Sequence, residues 1–225
     1  MLNSGSSKGF QSLLLESKFA GGKECLAVSL LFSVIAAGIA GLVLYGAYYG
    51  GITALLLRSL FFSFVAAAAM LFYALRYKRV AGRGVFYFLA LLALIPGPYL
   101  WHNYIDIVMR GAMSVGQDRW IFMALIAVVF VFVRIAVGRA LIILMTLAFL
   151  YAYFGNVIPG KYGHSGYDLS RLTSTLMLST EGVFGVPMGV AVEYIFLFGL
   201  FGAILTKIGT GEVFVDIARG VTGRV

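Results

Sequence analysis

Read for polarity alone, the chain is a series of long apolar runs broken by short polar punctuation. Six runs stand out, over residues 26–48, 54–75, 85–104, 119–137, 139–157 and 186–206. Each is long enough, at about 1.5 Å per residue, to cross roughly 30 Å of hydrocarbon as a helix. The pattern changes once, in the longest polar interval, between Gly155 and Gly185. Its first half is punctuated by Asn156, Pro159, Gly160, Gly163 and Gly166, a turn-forming composition. From Asp168 onward Leu169, Leu172, Leu176 and Leu178 form an approximately helical stripe, with Asp168 placed as its N-cap. The expected fold class is therefore an all-α polytopic integral membrane protein. It has about six transmembrane helices and a short amphipathic helix lying on the outer face.

Composition agrees and adds orientation. Of 225 residues, 61% are hydrophobic and only 12% charged, with a mean hydropathy of +0.98. Soluble domains run nearer half apolar and a quarter charged. The net charge of +8 sits in short loops between spans, which marks membrane topology rather than a phosphate-binding face and argues against nucleic acid as a partner. Alternating the loops leaves five basic residues on one side: Arg58, Arg110, Arg119, Lys161 and Arg171. The remaining twelve of the seventeen lie on the side of both termini, which the positive-inside rule makes cytoplasmic. The first 22 residues lack the apolar core and cleavage site of a signal peptide and read as an interfacial lead-in. The single cysteine, Cys25, excludes an internal disulfide or a cysteine metal cluster.

Little in the chain points to catalysis. Its two histidines, His102 and His164, lie in or near outer loops two spans apart, and Asp106, Asp118 and Asp168 are scattered over loops. No HExxH, GxSxG or paired-carboxylate pattern is present, so the expectation is a non-enzyme with no metal or cofactor in this segment. Two small-xxx-small pairs, Ala37 with Gly41 and Gly185 with Gly189, would let helix backbones approach closely. Pro96 and Pro98 should bend or end the third span, with Tyr99, Trp101 and Tyr104 forming an aromatic belt. Glu193 falls about a third of the way into the sixth span, where a carboxylate is costly unless protonated, paired or facing water. It is either a functional group or one satisfied by a partner such as Arg58, Arg119 or a helix outside this chain.

The stretch from Tyr151 to Leu205 resembles the start of the large-subunit region of fused TRAP (tripartite ATP-independent periplasmic) transporter permeases of the TAXI type. The matching residues are His164, Gly166, Tyr167, Leu169, Arg171 and Leu172, then Thr180, Glu181, Gly182, Phe184, Gly185, Pro187, Gly189 and Val190, then Phe201, Gly202 and Ala203. At Glu193 that family more often carries a small or hydroxyl residue. The resemblance implies a secondary active permease of a bacterial or archaeal inner membrane, working by sodium symport on a solute delivered by a periplasmic substrate-binding protein. It divides the chain into a cytoplasmic lead-in (1–24), a four-helix small-subunit-like region (25–137), a connecting transmembrane helix (138–158), a periplasmic loop with its amphipathic helix (159–185) and the first helix of the transport region (186–225). On this view the segment is the N-terminal portion of a longer permease and mainly scaffold. Its partners would be the binding protein, the remainder of the large subunit and membrane lipids, and sodium would bind in the downstream region. The alternative is a freestanding structural or accessory subunit without a transport site. Under the transporter reading, Glu181 would accept hydrogen bonds from exposed amides at the start of the last helix.

Overall fold

The computed structural model describes residues 22–76, 80–159 and 162–210, with side chains over 30–74, 82–159 and 162–210. The lead-in over 1–21, the side chain of Cys25, Lys78, Arg79, Lys161 and the residues beyond 210 lie outside the described residues. All described elements are helical: α1 Gly22–Tyr49, α2 Ala54–Arg76, α3 Val80–Ala93, α4 Pro96–His102, α5 Tyr104–Met109, α6 Gly116–Ala136, α7 Arg139–Phe154, α8 Leu169–Leu176, α9 Val186–Val190 and α10 Phe196–Ile208. Among the described residues, six stretches are long and apolar enough to cross a membrane: Leu30–Tyr49, Ala54–Ala74, Gly82–His102, Gly116–Ala136, Arg139–Val157 and Val186–Ile208. The protein is an all-α polytopic membrane protein.

The third span is broken, for the reason its prolines suggest. Proline at the start of a helix costs nothing, but inside one it removes a donor and clashes with the preceding turn. The amides of Leu94 and Ile95 accordingly fall back on Leu91 and Leu92 at 3.2 Å each, closing α3 with tight turns, and Pro96 starts α4. The break brings Gly97 against α2, where its amide donates to the Ser63 Oγ at 2.9 Å. A Cβ on Gly97 would lie 3.0 Å from the Leu60 Cα and 2.8 Å from that Oγ, so only glycine permits the approach.

α2 is the hub and packs against α1, α3, α4, α6 and α9. Within a bilayer, helices gain nothing by leaving lipid for another apolar surface, so close packing through small residues decides which faces meet. The buried alanines Ala66, Ala67 and Ala74 of α2 and Ala90 and Ala93 of α3 do this here. The Ala37 and Gly41 pair does not. Both are exposed, and a Cβ on Gly41 would meet nothing within 4 Å. The face of α1 that packs instead presents Ile39 and Val43 to Leu57, Phe61 and Val192. At the other extreme, neither α7 nor α10 buries a single residue.

Candidate functional site

Among the described residues, polar side chains with partners distant in the chain gather at three places, and the first is the start of the last span. There the backbone doubles back sharply: the amide of Val183 donates to the Leu176 carbonyl at 2.9 Å and that of Gly185 to the Gly182 carbonyl at 3.0 Å. Gly182 makes the reversal possible, since a Cβ would lie 2.3 Å from the Leu176 Cα, where only backbone stands and nothing can yield. Phe184 anchors the turn, fully buried edge-on against Phe62 with ring centres 6.1 Å apart. Pro187 then starts α9 at a position that needs no donor.

The Gly185 carbonyl at this reversal accepts the Gly189 amide at 3.1 Å, and Arg58 of α2 reaches both it and the Phe184 carbonyl. Its Nη1 donates to the carbonyls of Phe184 and Gly185, each at 3.2 Å, and its Nη2 to the Oε1 of Glu193 at 3.4 Å. Gly189 is the floor of the cradle, because a Cβ there would sit 2.4 Å from Nη2. Of the second small pair, Gly189 therefore makes room for a guanidinium, while Gly185 lies against the backbone of its own turn, where a Cβ would sit 2.9 Å from the Gly182 carbonyl oxygen. A cation beside a helix start opposes the helix dipole. Two carbonyls and a carboxylate outweigh that opposition, and they use the fork of donors that arginine has and lysine lacks. Arg58, and not Arg119, is the partner of Glu193.

Glu193 reaches Arg58 from an irregular segment. Residues Ala191–Ile195 form a π turn between α9 and α10, closed by the Phe196 amide donating to the Ala191 carbonyl. Such widened turns recur at functional sites, because the extra residue redirects side chains by about a quarter turn. Here Val192 is buried in the core while Glu193 stays 44% exposed against 15% for the Arg58 side chain. The pair is open on its carboxylate side. Glu181 plays no such part: its side chain is exposed, and its own amide donates to the Ser179 Oγ at 3.2 Å. Among the described residues no hydrogen bond of its carboxylate is seen. The turn needed a cation for its carbonyls where an anion for its amides had been expected. Thr180 stands beside it, also exposed.

A second place holds His164, Gly166, Tyr167 and Arg171. The Gly166 amide donates to the His164 Nδ1 at 3.0 Å, so that nitrogen is unprotonated. The ring proton is therefore on Nε2, which lies 3.2 Å from the Tyr151 carbonyl and donates to it. His164 is packed between Tyr151 and Tyr167, ring centres 5.0 and 5.1 Å away, and the Arg171 guanidinium covers Tyr167 at 4.7 Å. Asp168 caps α8 by accepting from the Arg171 amide at 3.0 Å. The stack fastens the loop before α8 to the end of α7, with the Tyr167 amide donating to the Ala152 carbonyl at 2.9 Å.

The third place overturns the reading of Asp118 as a loop carboxylate. It is fully buried at the start of α6 and accepts from the Tyr99 hydroxyl at 2.5 Å, the Val115 amide at 2.7 Å and the Arg110 Nη2 at 2.9 Å. Nearby, Ser114 is bonded to Ser170 and Ser174 of α8. The Ser114 contacts cross 56 to 60 residues of sequence, and nothing local announces them. No protein-family model, curated protein or solved structure matches the chain.

Proposed function

We propose that this chain is the scaffold-side, N-terminal portion of a TRAP-type permease in a bacterial or archaeal cytoplasmic membrane, with both termini of the segment cytoplasmic. The permease imports, by sodium symport, a solute brought by a periplasmic binding protein, and converts nothing chemically. The small-subunit-like region braces the transport region, which begins near residue 186. One observation supports this most strongly: Arg58, from the second helix of the brace, holds the Gly182 to Gly189 turn and Glu193, where the transport region starts. A brace must be fixed to what it braces, and an arginine bonded to two carbonyls and a carboxylate is a firm fixing in an apolar setting. The unburied faces of α7 and α10 are the surfaces that lipid and the remaining helices of the permease would cover. The Phe184 and Gly185 carbonyls already take a guanidinium, so they are no sodium site, and sodium belongs by the resemblance to the downstream region.

Deleting the gene and assaying vesicles energised with a sodium gradient tests the reading. Uptake of at least one solute, dependent on added periplasmic binding protein, should vanish and return with a plasmid copy. An antibody to the outer loop should detect, in native membranes, a polypeptide far above the 24.3 kDa of this segment. Unchanged uptake, with another membrane complex failing to assemble, would establish the accessory-subunit reading instead.

A further inference from the structure

An open cleft of about 520 Å³ lies where the end of α7 meets the start of α8, lined by Tyr153, Phe154, Asn156, Val157, Asp168 and Arg171, among others. It is separate from the Arg58 cluster, and its lining is divided in chemistry. On one side Arg171 is exposed and stacked on Tyr167, and among the described residues it forms no ion pair. Beside it stands the exposed carboxylate of Asp168, which uses one oxygen to cap α8. On the other side Tyr153, Phe154 and Val157 are 50%, 49% and 71% exposed at the end of a membrane-spanning helix.

We infer that this cleft binds an amine–phosphate zwitterion, the headgroup of a phosphatidylethanolamine in the leaflet on the loop side. A guanidinium already flattened on an aromatic ring presents its edge donors to phosphate, and the neighbouring carboxylate complements an ammonium. The volume falls within the range of small-ligand sites. The apolar wall argues for a lipid rather than a free solute, because it is exposed at the end of a membrane-spanning helix, where acyl chains begin.

The test reconstitutes the full chain in nanodiscs of equal phosphatidylethanolamine and phosphatidylglycerol, releases it and counts retained lipid by native mass spectrometry. Wild type should retain phosphatidylethanolamine over phosphatidylglycerol by about tenfold, and Arg171→Gln should lose both. Asp168→Asn keeps the helix cap, since asparagine caps as well as aspartate. It should shift the preference to phosphatidylglycerol, a gain that misfolding cannot produce. Equal retention of both lipids by wild type, or an unchanged preference in Asp168→Asn, overturns the proposal. Acyl-free glycerophosphoethanolamine should displace the lipid only in large excess; displacement at equal concentration rules out the lipid as the ligand.

Discussion

α2 and the last span are both long apolar helices, yet 61% of the α2 window is buried inside the protein and only 11% of the last one. What separates them is polar and small content. α2 carries Arg58, bonded to Glu193 and the turn before α9, the buried Ser59 and Ser63, and the buried alanines Ala66, Ala67 and Ala68. After its π turn, the last span packs Phe196 on Phe61 but carries beyond it exposed phenylalanines and glycines, Gly199 and Gly202, where an added Cβ would meet nothing within 4 Å. In lipid, an apolar side chain is equally content against a tail or a neighbour, so bulk hydropathy cannot say which helix is central. The expensive residues can, because each one requires a partner.

The largest expected effect comes from breaking the hub. Gly97→Ala puts a methyl 2.8 Å from the Ser63 Oγ and 3.0 Å from the Leu60 Cα and the Ser59 carbonyl. Neither the helix backbone nor a fully buried serine can move far, so α4 must lift from α2 and surrender the Gly97 to Ser63 hydrogen bond. A loss of about 3 kcal/mol is expected, the upper end for overpacking, measured by denaturant unfolding in detergent. An unchanged midpoint would mean that α2 is not the packing centre.

The clamp joins the two helices and comes next. Arg58→Met leaves Glu193 as an unpaired carboxylate and the Phe184 carbonyl without its arginine donor, at an expected cost of about 2 kcal/mol, less than for a fully buried pair because Glu193 is partly exposed. Arg58→Met combined with Glu193→Leu should recover much of that loss, since replacing both charges removes the orphan. The cycle should give a coupling of about 1 kcal/mol. Strictly additive losses would show that the two side chains merely lie near each other.

The spans themselves were legible because crossing a membrane is a local property of the sequence. The second run was expected over 54–75 and is Ala54–Ala74; the last was expected over 186–206 and is Val186–Ile208. Asp168 was legible as a cap because a cap and its helix are neighbours in the chain. Pairing was not. Ala37 and Gly41 have the spacing of a packing motif, but a motif does not name its partner, and α1 turns that face outward. Asp118 looked solvated because the fold-back that brings Tyr99 and Arg110 over it spans 19 and 8 residues. Arg58 could be suspected for Glu193, 135 residues away, only because a carboxylate in hydrocarbon must find a cation. Its two carbonyl partners were invisible, since they arise from a backbone reversal whose only signal is Gly182.

The smallest effect is the most discriminating for the outer helix. Gly199 and Gly202 of α10 have open space where a Cβ would go, so Gly199→Ala and Gly202→Ala should each raise the stability of the isolated chain by about 0.5 kcal/mol through helix propensity. Thermal unfolding in detergent reads that gain. Blue-native electrophoresis of native membranes reads something else: if, as the proposed function requires, a further helix packs on α10, the same two methyls must enter that interface. The variants should then weaken the assembly while stabilising the segment. Opposite signs in the two measurements mark the glycine face as covered in the membrane. Equal gains in both mean that α10 faces lipid along these residues, and that the transport region, if it follows, packs elsewhere.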